Sequence, residues 1–263
     1  MGIGSFTYPW SSNMLKFIFQ NVALPANPPW VGIGRSNGAK NAFVEFSGAN
    51  YTRVQLDSSY FLTATTGEIT LAQDIIFPVS EGFTGETYSI GFFTSSTAPM
   101  PFAWGDCAER EVIKNYDGLR VLAGAYTHYF NPGATWSLWL KNKVLNHFYR
   151  GEALTFASTT IEIGYALTPS NDLLPGTEPV GGGYVRAMVT RNSTSFRDSQ
   201  INGQELNIDV PFEYSTAAQG TATNLVLFCS NEYLMWTTLP TAAPINTNQR
   251  VMIQRGALFQ LDS

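Results

Sequence analysis

The chain carries little charge. Lys, Arg, Asp and Glu make up 13% of its 263 residues, about half of the roughly 25% that is usual in soluble domains. The 15 basic and 20 acidic residues give a net charge of -5, and no basic stripe stands out, which disfavours nucleic acid as a partner. So few charges fit a β-rich protein with polar loops, or a surface partly covered by neighbouring subunits.

Cysteine and long apolar runs are also scarce. The two cysteines, Cys107 and Cys229, are too few for a disulfide scaffold, and free thiols suit assembly in a reducing cytosol. No apolar run approaches the roughly 18 residues that a membrane span needs. The first residues lack the basic and apolar blocks of a signal peptide. We therefore expect no membrane insertion.

Groups that carry chemistry are few. Neither histidine, His128 or His147, has a Cys, His or carboxylate at metal-ligand spacing, so we expect no metal site. Motifs for a nucleophile elbow, a phosphate loop or a zinc protease are missing from the sequence, so we expect no catalytic residues, no cofactor and no enzyme. The densest acidic group is Asp106, Glu109 and Glu111, in a segment (95–118) predicted to be irregular. It leaves glycoside hydrolysis as an alternative, although a solvated face is the more usual role of such a cluster.

The sequence does contain an internal repeat. Gly48-Ala49-Asn50-Tyr51-Thr52-Arg53 and Gly181-Gly182-Gly183-Tyr184-Val185-Arg186 share a Gly-x-x-Tyr-x-Arg frame at an offset of 133 residues. Other identical pairs lie at an offset of 130: Leu15 with Leu145, Ile33 with Ile163, Gly34 with Gly164 and Arg120 with Arg250. A period of this length is the size of a domain, so it predicts two similar domains rather than a stacked array.

Hydrophobic patterning predicts the fold class. Apolar residues at helical spacing indicate helices over 12–22, capped by Ser11 or Ser12, and over 138–150, ended by Gly151. Between them run many short strands separated by turns, which is typical of a sandwich or barrel. We predict a mainly β protein of two tandem, similar β-sandwich or barrel-like domains, each preceded by a short α-helix. The predicted boundaries are an N-terminal arm at 1–11, a first repeat at 12–131 and a second at 132–263.

The arm carries alternating aromatic residues, Phe6, Tyr8 and Trp10, which share one face of an extended strand. These three are candidate partner contacts. The pattern fits a strand in the chain's own sheet as well as a segment that docks on a neighbouring subunit.

The repeated motif is a candidate site. Its residues are Gly48, Tyr51, Arg53, Gly181, Tyr184 and Arg186. A tyrosine and an arginine two positions apart on a strand share a face, where a guanidinium can pack against a ring. We predict a structural clamp at the domain edge, and a ligand site built on Tyr184 and Arg186 is the alternative.

The second repeat resembles a known family. Val144-Leu145-Asn146-His147-Phe148, a strand, and then Val180 to Arg186 are similar to a pattern in small virion proteins of tailed phages, usually labelled tail fibre proteins. The resemblance covers roughly 142–261, and the first repeat is a diverged copy with Lys16-Phe17 in place of Asn146-His147. It implies a β-rich virion component without known catalytic residues.

We therefore expect a non-enzymatic structural protein of a bacteriophage virion. It would be associated with the tail or fibre and would act through oligomerisation and contacts with other virion proteins. One alternative is a capsid decoration or cement protein. Another is a module that binds a host surface glycan. Its candidate stacking platforms are Tyr60, Trp104, Trp136, Trp139 and Trp236, although a place in the buried core is the more usual role of such aromatic residues.

Overall fold

A computed structural model describes residues 2–24, 29–36, 43–48, 51–78, 85–113, 118–130, 135–199 and 203–260. The described chain is mainly β with two α-helices, α1 (Tyr8–Gln20) and α2 (Leu138–Arg150), as predicted. The strands of the first half are β1 (Gly2–Phe6), β2 (Trp30–Ser36), β3 (Phe43–Glu45), β4 (Val54–Gln55), β5 (Glu68–Thr70), β6 (Ile75–Ile76), β7 (Gly85–Phe93), β8 (Ala103–Ile113), β9 (Arg120–Val121) and β10 (Tyr126–Tyr129), with a 3-10 turn at Ser58–Tyr60. Those of the second half are β11 (Thr160–Ala166), β12 (Ala187–Thr190), β13 (Phe196–Asp198), β14 (Gly203–Leu206), β15 (Val210–Tyr214), β16 (Gly220–Cys229), β17 (Glu232–Ile245), β18 (Arg250–Ile253) and β19 (Leu258–Gln260). Neither helix is long and apolar enough to cross a membrane.

The two halves repeat the same strand pairings. The first half has a large sheet in the order β3-β2-β7-β8-β1-β10-β5, with β4 also on β2, and a separate β6–β9 pair. The second half has β12-β11-β16-β17, β13-β14-β19 and β15-β18. The β2–β4, β6–β9 and β5–β10 pairs of the first half thus recur as β11–β12, β15–β18 and β14–β19. The duplication read from the sequence is therefore a duplication of topology.

The second helix has the predicted bounds, because its two ends carry strong local signals. The Ser137 hydroxyl accepts a hydrogen bond from the Leu140 amide at the N-terminus. At the C-terminus Gly151 adopts a left-handed conformation, with φ of 69°, and its amide bonds back to the last turn.

The first helix begins four residues earlier than the predicted 12–22, at Tyr8. Pro9 lies in its first turn, where a missing backbone N–H costs nothing because that group has no partner inside a helix. Thr7, rather than Ser11 or Ser12, is the N-cap residue, and its hydroxyl donates to Pro101 O instead of capping. Proline at this position does not break the helix, since its effect depends on its position in the turn.

The segment predicted as an arm at 1–11 contains β1 and the start of α1. Strand β1 lies inside the large sheet, antiparallel to β8 and parallel to β10. Phe6 is 1% exposed and packs 4.3 Å from the His128 ring and 5.3 Å from Phe148. Of the two possibilities for this segment, the structure shows the strand in the chain's own sheet rather than a segment that docks on a neighbouring subunit.

Two other predicted segments differ. Within 95–118, predicted to be irregular, residues Ala103–Ile113 form β8, which pairs with β7 on one side and β1 on the other. For the stretch from Leu119 to Phe130 the sequence alone indicates one long strand, whereas the structure has two, β9 and β10. Pairing with distant strands decides both outcomes, and local composition does not record it.

Each helix packs against strands of the other half. Helix α1 contacts β13 and β14, and α2 contacts β5 and the 3-10 turn as well as β17 of its own half. The aromatic contacts are reciprocal: Phe19 of α1 lies 5.0 Å from Phe196, and Tyr149 of α2 lies 4.9 Å from Phe61. One hydrophobic cluster accordingly includes buried residues of both halves. The predicted boundary between 131 and 132 falls outside the described residues.

Polar contacts hold each helix in this crossed position. The Asn146 side chain pairs with the backbone of Ala64, accepting from its amide at 2.8 Å and donating to its carbonyl at 3.3 Å. Arg191, 4% exposed, donates to the carbonyl oxygens of Phe17 and Ile18 near the end of α1. The helix end therefore gains donors for carbonyls that have no partner inside the helix.

A buried histidine lies in the shared core. His128 Nδ1 is 2.6 Å from the Tyr149 hydroxyl, which in turn is 2.8 Å from the Tyr126 hydroxyl. Burial lowers the pKa of His128 from 6.5 to about 3. The folded protein therefore keeps this imidazole neutral at pH values where the unfolded chain protonates it.

We predict that Phe19→Ala destabilises the second half as well as α1. Loss of the Phe196 contact should lower the free energy of unfolding by about 3–5 kcal/mol and speed hydrogen–deuterium exchange in β13 and β14. Tyr149→Ala is the reciprocal variant in the second half. It should speed hydrogen–deuterium exchange around Phe61 in the first half. Effects confined to the half that carries each substitution would contradict the crossed packing.

His128 should make stability depend on pH. Between pH 6.5 and about 3 the unfolded state binds one proton more than the native state, so stability rises with pH across this window, by up to about 1.4 kcal/mol per pH unit. His128→Phe should flatten the curve by that amount, as measured by urea unfolding at a series of pH values. Parallel curves for the two proteins would rule out this role.

Candidate functional site

The repeated motif of the first half forms a closed side-chain cluster. Arg53 donates from Nε to Glu45 Oε1 at 2.9 Å and from Nη2 to Oε2 at 2.6 Å. Tyr51 Oη donates to Glu45 Oε1 at 2.8 Å and accepts from the Ile33 amide at 2.9 Å. The Arg53 guanidinium lies over the Phe93 ring, 3.3 Å from its centroid. We call Glu45, Tyr51, Arg53 and Phe93 the first carboxylate clamp.

The second half contains the same cluster. Arg186 donates from Nε to Glu178 Oε1 at 3.1 Å and from Nη2 to Oε2 at 2.6 Å. Tyr184 Oη donates to Glu178 and accepts from the Tyr165 amide. The Arg186 guanidinium lies 3.5 Å from the Phe228 centroid. Glu178, Tyr184, Arg186 and Phe228 form the second carboxylate clamp, so the motif has one geometry in both halves.

A glycine on the strand beneath each clamp makes room for it. A Cβ atom at Gly32 would lie 2.3 Å from Glu45 Oε1, and one at Gly164 would lie 2.2 Å from Glu178 Oε1. Any larger residue would displace the carboxylate. Gly164 therefore corresponds to Gly32, and the sequence pairing of Gly34 with Gly164 is wrong by two residues.

The glycine-rich start of the motif turns the chain into the clamp. In both halves the tyrosine amide bonds to the carbonyl three residues back, Tyr51 to Gly48 and Tyr184 to Gly181. Gly181, Gly182 and Gly183 all have positive φ, a conformation that costs glycine little. The glycines position the tyrosine through this turn, and they have no side chain that could contact a ligand.

Burial and charge keep the clamp tyrosines protonated. Burial, and then the Glu45 carboxylate, raise the pKa of Tyr51, while burial and the hydrogen bond to Glu178 raise the pKa of Tyr184. Each hydroxyl thus remains a donor to its carboxylate. Bidentate ion pairs of this kind fix geometry, and the named contacts of each clamp lie within its own half. Tyr184 and Arg186 thus both engage Glu178, and the structural clamp, with the ligand site as its alternative, stays a prediction for the motif.

The surroundings of the two clamps differ. Trp30 of the first half occupies the position that Glu162 occupies in the second half. The sheet pairing shows this, because Trp30 pairs with Phe93 as Glu162 pairs with Phe228. Arg186 Nη1 donates to the Glu162 carboxylate at 2.9 Å, whereas Arg53 Nη1 donates to the Ser95 carbonyl at 3.0 Å. Ser95 belongs to the loop between β7 and β8, which a tight turn at Ser230 and Asn231 replaces in the second half.

The other predicted site residues are not brought together. Of the candidate glycan platforms, Trp104 and Trp136 are buried, Tyr60 and Trp139 pack against the main core, and Trp236 is half-buried beside Tyr233. Asp106 accepts a hydrogen bond from Ser89, and the side chains of Glu109 and Glu111 lie outside the described residues.

The candidate partner contacts and metal ligands also have defined places. Phe6 is in the core, Trp10 is half-buried against Phe102 and Phe148, and the Tyr8 side chain lies outside the described part. Among the described residues no group of three or more His, Cys, Asp or Glu side chains is arranged to hold a metal ion.

Sequence reasoning missed four members of the clamps. The glutamates, Glu45 and Glu178, lie at the same offset of 133 as the tyrosines and arginines, so an extended alignment of the repeat contains the signal. Phe93 and Phe228 lie at an offset of 135, and only the sheet pairing shows that they are equivalent.

We predict that the two clamps differ in their tolerance of losing the carboxylate charge. Glu45→Gln should lower the free energy of unfolding by about 2–4 kcal/mol, because the Arg53 guanidinium stays buried without a charged partner. Glu178→Gln should cost about 1–2 kcal/mol less, since Glu162 still pairs with Arg186. Guanidinium chloride unfolding of both variants tests this, and equal losses would contradict the assigned role of Glu162.

Comparison with known proteins identifies the family. The family model described as Podophage GP4 fiber I protein gp80 matches the chain twice, over residues 5–128 and 135–260. No curated protein sequence matches the chain. The two matches cover nearly the whole chain and coincide with the two halves that repeat one topology and one clamp. The chain therefore belongs to this family of podophage fibre proteins, carries two copies of the family unit in tandem and is a component of the virion.

Proposed function

We propose that the chain is a non-enzymatic structural part of a phage fibre, which assembles with copies of itself and with other virion proteins. The observation that carries the proposal is the family match over both halves. Its architecture suits a rigid building block, because the helices cross between halves and one core includes both. The low fraction of charged residues, 13%, fits a surface that is partly covered in an assembly.

A cleft in the second half, lined by apolar residues and by Arg186, Asp209 and Glu213, supports the proposed contacts with other proteins. Val185 and Met188 are each 61% exposed, and with Ile208 they line a cleft of about 370 Å³. Exposed apolar side chains that cluster in this way are typical of protein contact surfaces. The repeat pairs Val185 and Met188 with Thr52 and Gln55 of the first half, so the corresponding surface there is polar.

The position of the protein in the particle tests the proposal. Gold-labelled antibodies against the purified chain should mark the fibres of intact virions in electron micrographs, and particles made without the gene should stay unlabelled. Light scattering should give a molar mass in solution that is a multiple of that of one chain. Label on the capsid shell would favour the decoration alternative instead. A chain that stays monomeric and is missing from particles would refute both roles.

A further inference from the structure

We propose that a pocket beside the first carboxylate clamp binds a neutral saccharide. The pocket has a volume of about 570 Å³. Its lining includes Glu45, Tyr51 and Arg53 of the clamp, together with Trp30, Ser47, Thr52, Ser96 and Thr97. This volume lies within the roughly 300–1,000 Å³ of small-molecule sites. Its lining combines aromatic faces with hydroxyl groups. These complement a sugar ring, whose C–H faces pack on aromatic rings and whose hydroxyl groups form hydrogen bonds.

Trp30 supplies an aromatic surface to the pocket. Trp30 lies two residues before Gly32 on β2, so its side chain extends from the same face of the sheet as the clamp. It is half-buried, which leaves part of the indole open to the pocket. An indole offers a flat apolar face with a polar N–H at its edge. The C–H face of a pyranose packs on such a surface while its hydroxyl groups remain free for hydrogen bonds.

The rim of the pocket is polar and carries hydroxyl groups. Ser47, Thr52, Ser96 and Thr97 are all exposed. Each hydroxyl both donates and accepts, so the rim can match sugar hydroxyls of either orientation.

The charge of the pocket selects an uncharged ligand. The carboxylate of Glu45 is bound by the Arg53 guanidinium through two nitrogen atoms and by the Tyr51 hydroxyl. The ion pair is internally neutralised, and the side-chain exposure is 10% for Arg53 and 21% for Glu45. A charged ligand would have to compete with this pair, whereas a neutral polyol leaves it intact.

The second half shows which parts of the pocket the fold does not need. The second clamp keeps the same geometry with Glu162 in place of Trp30, and the Glu162 carboxylate is bonded to Arg186. The tight turn at Ser230 and Asn231 replaces the loop that carries Ser96 and Thr97. Trp30 and this loop are therefore additions to a shared scaffold, and both line the same pocket.

Saturation-transfer NMR with the full-length protein tests the proposal. The probes are the methyl glycosides of glucose, galactose, mannose, rhamnose and N-acetylglucosamine. At least one should receive saturation from the protein and shift the indole N–H signal of Trp30. Trp30→Glu, which installs the residue of the second half, should weaken this binding at least about tenfold. The double variant Ser96→Ala/Thr97→Ala should weaken it as well, and its exposed positions leave the core unchanged.

Trp236→Phe is the matched control, because this half-buried tryptophan lies in the second half, away from the pocket, and should leave binding unchanged. Circular dichroism checks the fold of each variant. The proposal is overturned if all five glycosides fail to receive saturation, or if both pocket variants bind as the wild type does. The saccharide site and the fibre role fail separately, since antibody labelling of particles does not depend on sugar binding.

Discussion

The crossed packing of the two helices is the constraint on which the rest of the structure depends. Each helix carries a large aromatic residue into the strands of the other half, Phe19 against Phe196 and Tyr149 against Phe61. Each half thus buries part of its apolar surface against the helix of the other half. The two family units therefore share one hydrophobic cluster, although the sequence presents them in tandem.

Each half also contains one carboxylate clamp. A glutamate, a tyrosine and an arginine satisfy one another and one backbone amide, and the guanidinium rests on a phenylalanine ring. The same arrangement recurs around Glu178. The clamp is the same in both halves, whereas the residues around it differ. The first half has an aromatic pocket with hydroxyl groups beside the clamp, and the second half has an apolar cleft.

Local signals in the sequence predict some elements well and others poorly. Helix α2 has a serine cap, an apolar stripe and a terminal glycine, and its bounds agree with the prediction. Helix α1 lacks a clear cap, and Pro9 obscures its start. The motif predicts a clamp of tyrosine and arginine, yet the glutamate that completes it lies before the motif and is found only when the repeat alignment is extended. The crossing of the helices leaves no trace in periodicity, since an apolar stripe shows that a helix is buried but not against which strands.

The fusion of two family units in one chain removes a restriction that symmetric assemblies have. In a symmetric pair of identical chains every substitution appears at two places, so a residue that improves one site must also be tolerated at the other. Here the position opposite the arginine is tryptophan in one half and glutamate in the other. Covalent linkage thus allows this position to differ between the two halves, while one hydrophobic cluster still includes buried residues of both.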